Sequence, residues 1–225
     1  MTWQDLVFLH WPMSPEALRR HVPPQLPIDT FDGTAWLTVV AFRMRRFRPL
    51  RIPLPGDRIA FGQLNIRTYT TLGGRPGIYL LDVSVGDRLI AASTRAGLRL
   101  PYWHAAIRSS TDDAGVRFAS ARRGPTEAEF RASWRPTGPI RHARPGGLDD
   151  FLVNRLSLYS IDWSGRVLRT GIEHGPWPLQ PASAEIETNT LGAALGLRLP
   201  DGAPRVGFSR RLDVIGRLPV RVARR

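Results

Sequence analysis

The sequence predicts a mainly β protein: a mainly antiparallel sheet, closed or strongly curved, with a few short helices. Three observations carry that expectation. The 21 glycines and 20 prolines are spread along the 225 residues and cut the chain into short pieces, which suits strands and turns better than helical bundles. Several of those pieces are β-branched or alternate apolar with polar residues. No internal repeat or low-complexity tract interrupts the pattern, and a single domain spanning residues 1–225 fits the length.

The strands follow in order. Thr34 to Met44 is apolar and β-branched, and Phe61 to Thr71 alternates. The turn L-G-G-R-P-G leads into Ile78 to Val85. Gly86-Asp87 reads as a second turn into a strand from Arg88 to Arg95, giving three consecutive antiparallel strands. Further strands are expected near Val116 to Arg122, Gly165 to His174 and Val206 to Val214. Three helices complete the reading. Ser14-Pro15-Glu16 is an N-cap, a proline at the first helical position and an early acid. Leu148, Phe151, Leu152, Arg155, Leu156 and Tyr159 fall on one face at helical spacing, with Asp149 and Asp150 in the first turn. A third helix covers about Thr188 to Leu195 and is closed by Gly196.

Composition excludes several chemistries. There is no cysteine, so disulfides, thiolate nucleophiles and Cys-ligated zinc are absent together. All 32 basic residues are arginine and none is lysine, so no side-chain amine can form a Schiff base. No H-E-x-x-H spacing, P-loop, G-x-G-x-x-G or G-x-S-x-G occurs; neither metal nor cofactor is expected. The N-terminus lacks signal-peptide character, and no run of residues approaches a membrane span. A cytoplasmic protein without a membrane role is therefore the default, with homo-oligomerisation left open.

The net charge of +13 raises the question of polyanions. In A-F-R-M-R-R-F-R-P-L-R, Arg43, Arg45, Arg46, Arg48 and Arg51 interleave with Phe42 and Phe47. That pattern keeps a nucleic-acid-binding module as the alternative function. The first reading is a small-molecule site. In a strand, Phe61, Gln63, Asn65, Arg67 and Tyr69 share one face while Leu64 and Ile66 take the other. Such a face either meets water or lines a polar cavity. Arg95, on the expected third strand, would add an anion anchor. His104 and His174 are candidates for acid–base work, with Trp177 close to the latter in H-G-P-W.

F-L-H-W-P, I-D-T-F-D-G-T-A-W, A-F-R-M-R, F-G-Q-L-N-I-R-T-Y, R-L-P-Y-W, L-x-x-F-L-V-N-R-x-x-L-Y and H-G-P-W-P-L-Q-P-A occur in this order. Together they resemble the YqjF-like family (domain of unknown function 2071), a bacterial family of uncharacterised function. More distantly, the middle of the chain resembles the acetoacetate decarboxylase superfamily. That second resemblance implies its fold, a curved antiparallel sheet closing into a cone-like β-barrel with an internal pocket. It places Arg95 on the decarboxylase motif's arginine and Tyr102 on its Schiff-base lysine; Ala96 and Gln63 stand where that motif has acids, and many YqjF-like sequences also carry acids at the positions of Gln63 and Asn154. The decarboxylase mechanism is therefore not expected. The expectation is a pocket for a small organic anion, either a carboxylate or a carbonyl compound. Gln63, Asn65, Arg67, Tyr69, Arg95, His104 and Trp177 would bind it. If there is catalysis, it is non-Schiff-base lyase or hydrolase chemistry with Tyr102 and His174 as the acid–base groups. Arg95 or Arg99 beside Tyr102 would lower its pKa.

Overall fold

A computed structural model describes residues 1–47, 59–124 and 126–222. The structure is mostly strand. β1 (Thr2–Met13), β2 (Ala35–Arg45), β3 (Phe61–Leu72) and β4 (Arg75–Val85) form an antiparallel run in the order β4-β3-β2-β1. β9 (Ser157–Ile161) joins β4, β10 (Val167–His174) joins β9, and β12 (Arg205–Gly216) joins β1. Ile172, Glu173 and His174 then pair with Gly216, Ile215 and Val214, so β10 meets β12 and the sheet closes on itself as a ring. The expected curved, mainly antiparallel sheet is present.

From β12 the path continues outward through β11 (Gln180–Asn189), β8 (Ala128–Pro136), β7 (Gly115–Arg122) and β6 (Ala106–Asp112). This second sheet packs on the outside of the ring. The two sides of β1, β2 and β3 separate by residue parity, and a register shift opposite Ile66 and Arg67 lets Leu80 and Val83 of β4 share a face. Val7, Leu9, Leu37, Val39, Leu64 and Ile66 pack with Val116, Phe118, Phe130 and Trp134 between the sheets. Leu6, Phe8, Val40, Phe42, Leu80, Val83, Leu158, Leu212 and Val214 form the other core, inside the ring.

One strand expectation fails. Arg88–Leu98 is a helix, α2, in place of a third antiparallel strand. The Asp87 carboxylate accepts from the Ile90 backbone N–H at 2.9 Å, which makes Asp87 an N-cap and not a hairpin residue. The run is rich in alanine, the best helix former, and its small side chains give a sheet face little to pack. Arg99 ends the helix in the left-handed region at φ 51°. A helix crossover has a topological consequence: the chain returns parallel, so β5 (Tyr102–His104) pairs with β4 in parallel register, Val83 opposite Tyr102.

The other helices form but are shorter than the periodicity suggests. α1 (Pro15–Arg19) has the expected cap, Ser14 Oγ accepting from Ala17 N. α4 (Leu191–Ala194) is closed by Gly196 at φ +63°; Thr188 belongs to β11. α3 (Leu148–Val153) stops before Arg155, and Tyr159 lies in β9. Side chains take the carbonyls that a longer α3 would use. Arg155 Nε donates to Phe151 O at 2.6 Å, Arg67 and Tyr69 donate to Leu152 O, and Trp177 Nε1 donates to Val153 O at 3.0 Å. With these acceptors engaged, the next i→i+4 bonds have no pull.

Ring and second sheet are tied by a buried ion pair. Arg122 on β7 donates to both oxygens of Asp82 on β4, at 2.9 and 2.8 Å, and its Nε donates to Thr126 O at 2.6 Å. The indole of Trp103 also hydrogen-bonds Asp82, and the Arg122 guanidinium lies 5.6 Å from the Trp103 ring centre. Removing one member leaves the other charged and buried. Arg122→Met should cost about 3–5 kcal/mol in urea unfolding, and adding Asp82→Leu to it should recover most of the loss. A larger loss in the double variant would show that the pair itself, not the stranded charge, carries the stability.

Candidate functional site

The polar face of β3 does not meet bulk water. Gln63, Asn65 and Arg67 are 7%, 6% and 6% exposed, and Tyr69 is fully buried. They line the inside of the ring, because Leu64 and Ile66 on the opposite face pack against the second sheet. Cross-strand register puts Phe42, Val40 and Thr38 of β2 beside Gln63, Asn65 and Arg67, and places His10 of β1 beside Thr38.

Arg67 is the central feature. Among the described residues no carboxylate lies within ion-pair distance of it. Its terminal nitrogen donates to Leu152 O, at the carbonyl end of α3, at 3.3 Å. The guanidinium stands 5.3 Å from the Phe8 ring centre and 5.9 Å from that of Tyr69. These contacts offset part of the cost of burying a charge. Burial nonetheless holds its pKa below the ordinary arginine value, with Tyr69 opposing and Arg155 adding to the shift. Its Nε is buried without a hydrogen-bond partner, and so is Oδ1 of Asn65, two residues away on the same face. Buried polar atoms are normally satisfied. Arg67 Nε and Asn65 Oδ1 are thus an unpaired donor and an unpaired acceptor on one buried strand face.

A hydrogen-bonded group closes the site beyond Arg67. His10 Nδ1 and Thr38 Oγ1 are 2.8 Å apart, Thr38 Oγ1 and the Tyr69 hydroxyl 2.6 Å, and Tyr69 donates to Leu152 O at 3.0 Å. Burial pushes the His10 pKa well below its usual value, and the charges of Arg67 and Arg205 push the same way; His10 is neutral. Arg155 braces this end: it pairs with Asp29 at 2.6 Å and stacks 4.0 Å from the Phe151 ring centre.

Tyr102 lies toward the other end of the column, hydrogen-bonded with Gln63. Its pKa is raised to about 12 by burial, the Gln63 hydrogen bond opposing. The expected lowering by arginine does not occur, because the two arginines are engaged elsewhere. Arg95 is exposed on α2, with its guanidinium 3.9 Å from the Trp103 ring centre. Arg99 lies 4.5 Å from the Trp163 ring centre and donates to Asp162 O at 2.8 Å. Arg95 is thus not brought to Arg67: the strand that would have turned it inward is a helix.

His174, at the end of β10, is half-buried, and its ring centre is 5.1 Å from that of Trp177. Burial lowers its pKa; the bond from its ring to Gly175 O opposes, and the charge of Arg67 adds to the lowering. Trp177 is buried edge-on to Phe8, ring centres 5.0 Å apart. His104 is exposed at the end of β5 and lies outside this group. The structure thus gathers Gln63, Asn65, Arg67, Tyr69, Tyr102 and Trp177, with His174 at the edge. It also adds Phe8 and His10 of the F-L-H-W-P motif, Thr38 and the α3 carbonyl end, none of which is among the expected site residues. Alternation in F-L-H and W-L-T was the available signal, since Phe8 and His10, like Trp36 and Thr38, share a strand face.

The arginine-rich segment begins at the end of β2. Arg43 and Arg45 are on β2, Arg45 donating to Gln4 at 3.4 Å; Arg46 follows the strand at φ 54°. Arg48 and Arg51 lie outside the described residues. Among the described residues no group of His, Asp and Glu is placed to hold a metal ion, and no helix is long and apolar enough to cross a membrane.

The DUF2071 family profile, described as an uncharacterized conserved protein, matches residues 1–213. The chain belongs to the DUF2071 family. This member is 36% identical over 215 residues to the uncharacterized protein YqjF of Bacillus subtilis (strain 168), covering 95% of this chain and 88% of that protein. Its fold is that of acetoacetate decarboxylase-like proteins. It is similar to the enduracididine biosynthesis enzyme MppR with HEPES bound, at a TM-score of 0.68 and 15% identity, over 99% of this chain and 86% of that one. MppR complexed with pyruvate gives 0.64 at 17% identity, over 98% and 88% of the chains. An acetoacetate decarboxylase gives a TM-score of 0.65 at 10% identity, over 98% and 87%.

Two outcomes follow for this DUF2071 member. A neutral His10 in the fold takes up protons less readily than in the unfolded chain, so stability should fall as pH drops below 6.5, its ordinary pKa. His10→Asn should flatten that fall in urea midpoints measured from pH 7 to 5. Tyr102 has the opposite sense. The unfolded phenol ionises near 10 and the folded one near 12, so its contribution is intact below pH 10 and lost on the way to 12. Tyr102→Phe should weaken the decline in unfolding midpoint over that interval; an unchanged slope would mean the phenol is not held neutral.

Proposed function

We propose that the ring interior binds a small organic anion, with Arg67 as its anchor and Asn65 as the acceptor for a donor on the same guest. The observation that carries this reading is the buried guanidinium with an open Nε–H and no carboxylate partner among the described residues. A carboxylate there would neutralise the charge and satisfy the donor together, the strong form of hydrogen bond. Gln63 and Tyr102 would supply directional hydrogen bonds toward the opposite end. By strand rise, Gln63 and Arg67 are roughly 13 Å apart, which sets the scale of the guest. The MppR structures, one with HEPES and one with pyruvate, support a fold that accommodates small organic acids.

The chemistry available is orientation, hydrogen bonding and charge neutralisation. A chain without lysine offers no side-chain amine to make an iminium from a ketone, so decarboxylation by that route is outside this reading. A phenol with a pKa of about 12 is a hydrogen-bond donor near neutrality and a poor general base. A carbonyl or carboxylate oxygen is what it would orient.

The direct test uses acetate as probe and observes the Arg67 Nε–Hε resonance in 15N-labelled protein. Acetate should shift that resonance saturably, and Asn65→Ala, which leaves the guanidinium in place, should weaken binding of glycolate, which carries a hydroxyl donor, more than binding of acetate. Arg67→Met, followed on the Asn65 side-chain amide resonance because the guanidinium is gone, should raise the dissociation constant for either by about tenfold or more, the scale of a charge-assisted pair. An Arg67 resonance that stays in place to high acetate concentration would remove the proposal.

A further inference from the structure

The anion site has an aromatic side, and that side reaches the surface. From Arg67 the guanidinium rests 5.3 Å from the Phe8 ring centre, and Phe8 meets Trp177 edge-on at 5.0 Å. Trp177 in turn contacts His174 at 5.1 Å and Trp3 at 5.9 Å, and Trp3 packs 5.2 Å from Phe42. His174 also lines a surface cleft of about 780 Å³, together with Thr2, Arg46, Glu173, Asp213 and Ile215. That cleft sits at the seam where β10 meets β12 and the ring closes. It lies at the end of the ring where β1 begins and β2 ends, the end toward which Gln63 and Tyr102 lie. Burial lowers the His174 pKa, and the charge of Arg67 adds a smaller push in the same direction. The Trp3 indole N–H, within this run of rings, is buried and has no hydrogen-bond partner.

We propose, resting on the anion reading above, that the guest is an organic acid with a planar aromatic or heteroaromatic tail. Its carboxylate pairs with Arg67, and its tail lies along Trp3, Trp177 and His174 toward the seam cleft. Flat rings match the geometry of this wall, since aromatic pairs add to simple burial through offset and edge-on contact. A tail with a hydrogen-bond acceptor would also satisfy the Trp3 N–H. Trp177 holds this run of rings in a fixed orientation, because its own N–H is engaged by Val153 O and its ring is packed by Phe8, Trp3 and His174. His174 is the specificity-determining residue at the outer end, because among the described residues it alone belongs both to the aromatic run and to the cleft lining.

The experiment compares two probes on the same Arg67 Nε–Hε resonance: acetate, which is a head without a tail, and trans-cinnamate, which adds a planar ring. In the native chain cinnamate should bind about tenfold more tightly than acetate, the scale of one or two good aromatic contacts. His174→Ala should lower the ratio of the two affinities about threefold, the share of one ring contact, and His174→Phe should restore it. Because only the ratio is read, a general weakening of the fold does not imitate the effect. Equal affinities in the native chain, with Arg67 responding to both, overturn the aromatic tail and leave the anion site standing. A preference for cinnamate left undiminished by His174→Ala also overturns it, by placing the tail away from His174. Arg67 responding to neither probe removes both readings.

Discussion

The interior of this protein depends on one buried cation held against the end of a short helix. Arg67 leaves water without a carboxylate to meet it among the described residues. In compensation it has a carbonyl at the C-terminus of α3 and the faces of Phe8 and Tyr69. Helix C-termini carry partial negative charge and unpaired carbonyls, so the contact satisfies helix and guanidinium together. It is also why α3 stops where it does. Arg67, Tyr69, Trp177 and Arg155 occupy three successive carbonyls, and the chain then turns away into β9.

From that contact the organisation of the ring follows. The α3 end and Trp177 are pinned to the inside of β3, so the interior is closed at one end by His10, Thr38 and Tyr69. Apolar residues elsewhere on the strand faces give the inside of the ring a wall, and the polar column on β3 gives it a chemistry. On the reverse face of the same strands, Leu64 and Ile66 bind the second sheet. A single alternating strand therefore serves two environments, with side-chain parity deciding which residue goes where. The same fold in acetoacetate decarboxylase-like proteins shows that the architecture is shared; the residues in its interior are what give this chain its own character.

Much of this is legible in the order of the residues. The alternation F-G-Q-L-N-I-R-T-Y marks β3 and sorts its two faces, and it identifies Gln63, Asn65, Arg67 and Tyr69 as companions. Ser14-Pro15-Glu16 announces α1 because a cap is a local device, complete within four residues. The strand expected from Arg88 to Arg95 is wrong for a matching reason. Leu89, Ala91, Ser93 and Arg95 alternate acceptably, but Asp87 capping Ile90 and the alanine content favour a helix, and the two local signals conflict. Arg95 consequently lies on the outside beside Trp103. The lowered pKa expected for Tyr102 fails with it, since the cation that was to lower it is not there and burial raises the value.

Alone, the sequence determined the mostly β character, the sidedness of each strand, the absence of any side-chain amine and the family to which the chain is related. These are properties of composition, of a period of two, or of ordered motifs, and need no knowledge of what lies across the ring. Tertiary structure decided which end of α3 meets Arg67, that His10 and Thr38 close the interior, and that Trp3, Trp177 and His174 form a single run of rings. Those relations join residues far apart in the chain, as in Arg67 with Leu152 or Phe8 with Trp177. Only closure of the ring brings such residues within contact, and local periodicity carries no record of it.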